Sequence, residues 1–168
     1  IAAARSRQKL SEVSQRINLS LLVGLLIALP STAVFCFFSD SILKLLFPNA
    51  SAGDVILQIS SISIIFVSIE QTIRGVLIGI GNNKVPIISI TLGVLVKYIL
   101  NKILIPMNIV IGEINGAAIS SLISHIVVTM VGYIYLKKAI EIKLEKSNII
   151  KLMFSTIIFI IISKIIYF

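Results

Sequence analysis

The sequence predicts an all-α membrane protein, a polytopic bundle of about five transmembrane helices. Hydrophobic residues make up 57% of the 168 positions and charged residues only 13%, whereas a soluble domain is about one quarter charged. The apolar runs are about 20 residues long, which is enough to cross a bilayer core as helices. The short alternating segments of a transmembrane barrel are missing from the sequence.

The first predicted transmembrane helix covers residues 17–39 and follows a polar, basic lead-in, residues 1–16. Pro30 lies inside this helix and is expected to kink it, because proline removes a backbone donor. After this helix the apolar pattern is interrupted. Residues 42–47 form a short amphipathic stretch that is typical of a helix lying in the membrane interface.

Two further helices follow at residues 54–80 and 85–105, joined by a tight turn at residues 81–84. The turn sequence Gly-Asn-Asn-Lys favours a chain reversal. Pro86 comes directly after it, in the first turn of the next helix, where the missing N–H costs little.

The last predicted helix of the bundle covers residues 116–136, so that the bundle as a whole spans residues 17–138. A charged connector at residues 139–148 leads to a further apolar segment, residues 149–168, which is interpreted as a truncated transmembrane helix. Because the chain starts without Met and stops inside an apolar run, it is expected to be a piece of a larger membrane protein.

Basic residues alternate between rich and poor segments, as the positive-inside rule requires. The lead-in carries four basic residues, the 81–84 turn carries one, and the region after the fourth helix carries several more. We therefore expect a multi-pass protein of the plasma membrane, with residues 1–16, 81–84 and 137–148 on the cytoplasmic side.

Several classes of function are disfavoured. The net charge of +8 is explained by topology rather than by a basic face for nucleic acid. With Cys36 as the single cysteine, neither a disulfide nor a cysteine-based metal site can form within the chain. His125 has no carboxylate or cysteine near it in sequence, so an interhelical hydrogen bond is the preferred interpretation. No metal, cofactor or catalytic residue is predicted, and the protein is not expected to be an enzyme.

Charged residues inside the apolar helices are the candidates for function, because each costs about 2.5–3.5 kcal/mol to insert. Glu70 and Arg74 lie one turn apart, in the favourable order for an ion pair. Lys97 lies at a similar depth on the next helix, and two helices joined by a tight turn are expected to pack side by side. The candidate residues for substrate binding or ion coupling are Glu70, Gln71, Arg74, Lys97 and Asn101.

Three interpretations of these charges remain open. They line a cavity for a polar or anionic substrate or for proton or ion coupling, or Glu70 forms a structural pair with Arg74 or Lys97. The third is that Arg74 and Lys102 reach the two membrane interfaces by snorkelling. Gly75 and Gly79 form a small-xxx-small spacing that predicts close packing against another helix.

The sequence resembles the multidrug/oligosaccharidyl-lipid/polysaccharide flippase superfamily. The similarity is to its polysaccharide-biosynthesis and stage V sporulation protein B branch, which is related to the lipid II flippase. The segments that carry the resemblance are Arg16 to Ser20 with Leu29-Pro30, Ile42 to Phe47, Ile59 to Pro86, Lys97 to Pro106 and Ile114 to Ala118. Together they cover most of the chain from Ala4 to Lys138.

The resemblance implies a transporter of about 12–14 helices in two bundles with the substrate between them. This chain would supply part of the second bundle, and the missing N-terminal bundle would be its partner. The implied activity is movement of a lipid-linked oligosaccharide or peptidoglycan precursor by alternating access. The alternatives are a multidrug cation exporter of the same superfamily and a non-transporting scaffold. The basic residues of the lipid II branch lie mostly in the first bundle, and Glu70 departs from the family's small polar residue.

Overall fold

The computed structural model describes residues 2–47, 53–106 and 113–139, together with the single position Thr156. Five helices make up the described chain and no strand occurs in it, so the all-α prediction is confirmed. The helices are α1 (Ala2–Phe37), α2 (Ser39–Leu46), α3 (Asp54–Gly79), α4 (Lys84–Leu104) and α5 (Glu113–Ala139).

Four helical segments are long and apolar enough to cross a membrane: Glu12–Phe37, Asp54–Gly79, Lys84–Leu104 and Asn115–Ala139. The shortest has 21 residues, which gives about 31 Å at 1.5 Å per residue and matches the hydrocarbon core. Large apolar side chains such as Ile27 and Ile87 point outward, as a lipid-facing surface requires.

The lead-in and the first transmembrane segment form one continuous helix, α1, and Pro30 lies within it. The short amphipathic stretch predicted at 42–47 is the end of α2, which begins earlier, at Ser39. The predicted connector at 139–148 and the predicted helix at 149–168 lie outside the described residues, apart from Ala139 and Thr156.

A polar contact joins the start of α2 to α3, and the end of α2 presents an apolar edge. Gln58 Nε2 donates a hydrogen bond to Ser39 Oγ at 3.0 Å, and Ser39 is buried. Leu45, Leu46 and Phe47 are exposed. This combination of an anchored start and an apolar end is the arrangement that an interfacial helix needs.

The four long helices pack in the order α1, α3, α5, α4. α3 packs along α1 on one side and along α5 on the other, while α4 packs along α5 and touches α3 only slightly. The expectation that α3 and α4 lie side by side is therefore wrong, although a tight turn joins them. Gly81 in this turn has φ +82°, a left-handed conformation that glycine adopts without strain.

Glycine residues at the α4–α5 interface allow these two helices to pack closely, which explains why α4 packs on α5 and not on α3. A Cβ added at Gly93 would lie 2.3 Å from Val128 Cγ2 and 3.1 Å from Ser124 Oγ, so only glycine lets the two helices come this near. Ser124 Oγ also donates a hydrogen bond to the Gly93 carbonyl oxygen at 2.8 Å. At the other end of the pair, a Cβ at Gly116 would meet the Leu104 carbonyl oxygen at 2.8 Å.

The seams of α3 also depend on glycine, but not on the glycines of α3 itself. A Cβ at Gly24 of α1 would lie 2.7 Å from Ser68 Oγ, and one at Gly132 of α5 would lie 3.0 Å from Ile73 Cγ2. Gly75 and Gly79 are exposed, and an added Cβ at either would meet nothing within 4 Å among the described residues. Packing of the described helices therefore does not use the small-xxx-small spacing that the sequence singled out.

One buried apolar cluster lies at the end of the bundle near the α3–α4 turn. Ile17, Ile73, Leu77, Val85 and Leu136 are buried and pack into one cluster. These residues belong to the beginning of the first span, the two sides of the α3–α4 turn and the end of α5. The three segments with a predicted cytoplasmic location thus begin or end at the same end of the molecule.

Candidate functional site

Glu70 lies on α3 and faces α5 rather than α4. Its Oε2 lies 3.0 Å from Nδ1 of His125 on α5, within hydrogen-bond distance. The Glu70 side chain is only 12% exposed, and the His125 side chain is 37% exposed. The interhelical hydrogen bond expected for His125 is therefore present, but its partner is a carboxylate 55 residues away in sequence.

Arg74 does not pair with Glu70, although the two residues lie one turn apart. Its Nη2 donates a hydrogen bond to Oε1 of Gln71 on the same helix. Arg74 is half-buried and keeps further guanidinium donors, since arginine carries five. The Glu70–Arg74 pair, one of the alternatives that the sequence leaves open, is not formed in this conformation, because the carboxylate turns toward His125 of α5.

A shallow, half-open cleft with room for about one water molecule lies between α3 and α4. It exists because both helices pack on α5 and hardly touch each other. The α3–α4 cleft is lined by Glu70, Ile73, Arg74 and Leu77 of α3, by Pro86, Ser89 and Ile90 of α4, and by Val128 and Gly132 of α5. Its lining is mostly apolar, and its two ionisable groups are the carboxylate and the guanidinium of α3.

The two candidate residues of α4 lie apart from this cleft. Lys97 is exposed, and the expected ion pair between Lys97 and Glu70 does not form among the described residues. Asn101 Oδ1 accepts a hydrogen bond from Ser120 Oγ of α5. Lys102 is also exposed, with its Nζ 4.8 Å from the ring centre of Tyr98.

The structure thus brings together Glu70, Gln71 and Arg74 but adds His125 in place of Lys97 and Asn101. A usable signal for His125 existed in the sequence, since an ionisable side chain in the middle of an apolar helix is costly. Ser89 was also missed: it is buried at the cleft, and its Oγ donates to the Val85 carbonyl oxygen. Within the described part of the chain, no three metal-binding side chains come together.

The chain has recognisable relatives. All of it, residues 1–168, matches the family model described as "Lipid II flippase MurJ". It is 32% identical over 106 residues to the "Uncharacterized membrane protein YabM" of Bacillus subtilis (strain 168). That similarity covers 63% of this chain and 20% of the relative, so the chain spans about a fifth of the relative's length. No solved structure matches. The family match confirms the flippase-superfamily resemblance seen in the sequence.

Proposed function

Since the chain belongs to the lipid II flippase MurJ family, we propose that it is part of a transporter that moves a lipid-linked saccharide across the plasma membrane. The proposed substrate is a lipid-linked oligosaccharide or peptidoglycan precursor, and the proposed mechanism is alternating access. The observation that carries this proposal is the family match over the whole chain, which coincides with four helices of membrane-spanning length.

The charge in the α3–α4 cleft supports a phosphate-bearing substrate. Arg74 places a guanidinium beside an apolar lining, and guanidinium groups bind phosphate through paired, charge-assisted hydrogen bonds. The carboxylate that would otherwise neutralise this guanidinium is engaged by His125. An anionic head group is therefore a better fit than a cation, which distinguishes the proposal from export of cationic drugs.

The packing supports alternating access. α4 is joined tightly to α5 through Gly93 and Ser124, while its contact with α3 is slight. Both helices pack along α5 but hardly touch each other, so the gap between them can change its width when either helix tilts on α5. We propose that the end of the bundle near the α3–α4 turn, with residues 1–16, 81–84 and 137–148, faces the cytoplasm, so that the cleft opens near that surface.

The test is a flipping assay with the full-length protein in liposomes. Fluorescent lipid II serves as the probe, and a reagent that cannot cross the membrane destroys only the probe in the outer leaflet. We expect faster loss of protected probe than in empty liposomes. Arg74→Gln should slow this loss about tenfold or more, as expected when a charge-assisted hydrogen bond worth about 1.5–3 kcal/mol is removed.

Lys102→Gln is the matched control, because it also removes one basic charge from a membrane helix but lies outside the cleft. It should flip the probe at the wild-type rate. A wild-type rate equal to that of empty liposomes would contradict the proposal, and so would extrusion of a cationic dye in place of the lipid.

A further inference from the structure

The contact between Glu70 and His125 places two proton-binding groups face to face inside the membrane-spanning part. Glu70 is 12% exposed and His125 37% exposed, with 3.0 Å between the carboxylate oxygen and the ring nitrogen. An isolated charge at this depth costs about 2.5–3.5 kcal/mol. A net charge on the pair is therefore more costly in free energy here than it would be at a protein surface.

We propose that Glu70 and His125 form a proton-binding site, and that Arg74 pairs with Glu70 when the proton leaves. With one proton bound, the pair is neutral overall, whether the proton is on the imidazole or on the carboxyl group. Without it, the pair carries one negative charge, which the apolar surroundings disfavour. A nearby cation is needed to stabilise the proton-free state.

Arg74 is placed to be that cation. It lies one helical turn from Glu70, a spacing at which the two side chains reach each other, and both line the α3–α4 cleft. In the structure, Glu70 contacts His125 and Arg74 contacts Gln71. When the proton leaves, rotation of the Arg74 side chain from Gln71 to Glu70 would pair the guanidinium with the carboxylate, and the net charge of Glu70, His125 and Arg74 together would change from one positive charge to none.

No other ionisable group borders the cleft within the described residues. α4 contributes Pro86, Ser89 and Ile90 to it, and α5 contributes Val128 and Gly132. The remaining charged side chains that the structure describes on these helices lie elsewhere and are all exposed: Glu12 and Arg16 of α1, Asp40 and Lys44 of α2, Asp54 of α3, Lys84, Lys97 and Lys102 of α4, and Lys137 and Lys138 of α5. Competition for Glu70 is therefore between the proton and Arg74.

Proton binding and anion binding are linked through Arg74. When the proton occupies the pair, the guanidinium has no carboxylate partner and is available to an anion in the cleft. By reciprocity, an anion that binds Arg74 increases the affinity of the pair for its proton by the same factor. The identity of this anion as a lipid phosphate rests on the proposed function, whereas the proton-binding site itself does not.

Infrared difference spectroscopy tests the site in the full-length protein, embedded in lipid nanodiscs without substrate. Spectra are compared between about pH 5 and pH 8, the range in which imidazole ordinarily changes charge. We expect a carboxyl or imidazole signal in the wild type that is lost in both Glu70→Gln and His125→Gln. Lys102→Gln, the control, should retain it. A wild-type spectrum that neither substitution alters would overturn the proposal.

His125→Gln separates proton binding from a structural hydrogen bond. The glutamine amide still donates to Glu70 but takes up no proton in this range. A merely structural contact would leave the pH-dependent signal unchanged in this variant. If Glu70→Gln does not accumulate, His125→Gln alone decides the question.

Arg74→Gln tests whether Arg74 pairs with Glu70 when the proton leaves. Without the guanidinium, the proton-free state keeps an uncompensated negative charge, so the site should hold its proton about tenfold more tightly or better. The signal should then persist to a higher pH than in the wild type. A change of less than about twofold would remove Arg74 from the site. Because no lipid substrate is used, failure of the flipping assay leaves these results standing, and the reverse also holds.

Discussion

Substitution of Gly93 by alanine is expected to push α4 away from α5. The added Cβ would lie 2.3 Å from Val128 Cγ2, whereas carbon atoms pack at about 3.5–4.0 Å. The shortfall is therefore about 1.2 Å or more. Both Gly93 and Val128 are buried, so the side chain has little room to move aside and the helices have to separate.

The cost follows from three contributions. Overpacking of a well-packed site costs about 1–3 kcal/mol. Separation of the helices also weakens the bond from Ser124 to the Gly93 carbonyl, which is worth about 0.6 kcal/mol on average between membrane helices. Alanine regains about 1 kcal/mol of helix propensity over glycine. We expect a net loss of about 0.5–2.5 kcal/mol in the free energy of unfolding.

Gly75→Ala is the matched control, because this position also lies inside a helix and a Cβ there meets nothing within 4 Å among the described residues. Both variants gain the same helix propensity, so the difference between them is the overpacking cost plus the weakened hydrogen bond, about 1.5–3.5 kcal/mol. Free energies are measured by reversible detergent denaturation of the full-length protein. Adding Val128→Ala to Gly93→Ala should relieve the clash and give a coupling energy of about 1 kcal/mol or more. Equal stability of the two alanine variants would refute the reasoning.

Gln58→Leu removes the hydrogen bond to Ser39, so amide exchange in α2 should become about fivefold faster, as a loss of about 1 kcal/mol implies; unchanged exchange would show that this bond does not hold α2. Asp40→Asn breaks a 2.7 Å ion pair whose side chains are 73% and 64% exposed, and the free energy of unfolding should change by less than about 0.5 kcal/mol. A larger loss would contradict its assignment as a surface pair. Gly132→Ala brings a Cβ to 3.0 Å from Ile73 Cγ2, and the same denaturation assay should show a decrease of about 1 kcal/mol in the free energy of unfolding. An increase would mean that the α3–α5 interface has room for the added methyl group.

The helices themselves could be predicted from the sequence because hydropathy is a local property. An apolar run of sufficient length is unstable in water and unstable in lipid unless its backbone is helical. The short α2 was also visible, since apolar residues such as Leu43 and Leu46 alternate there with polar ones at helical spacing. These features need no knowledge of which helix neighbours which.

The neighbours could not be predicted in the same way. The tight turn at Gly81 suggested that α3 and α4 pack together, but packing between membrane helices depends on shape at small residues. Gly93 packs closely against Val128, and this contact between residues distant in sequence is the reason that α4 packs on α5. Gly75 shows the converse, since it has the right spacing for packing yet meets no described neighbour.

The residues of the candidate site could be predicted only in part, because some of them come from helices whose neighbours the sequence does not reveal. Glu70 and Arg74 stood out because charges are rare in apolar helices, and both line the cleft. The expected partner Lys97 followed from the mistaken helix order. The observed partner, His125, lies on α5, and no local pattern in the sequence places α5 beside α3.

The central claim is that the charges of α3 border a water-accessible cleft that opens toward the cytoplasm. Cysteine labelling of the full-length protein, with its native cysteines, Cys36 among them, replaced by serine, tests it most directly. Ile90 lines the cleft, whereas Leu92 is exposed without belonging to its lining and points the other way around α4. Ile90→Cys should react with a membrane-impermeant maleimide added on the cytoplasmic side, while Leu92→Cys should not react. No reaction at position 90 from the cytoplasmic side, or equal reaction at both positions, would contradict the claim.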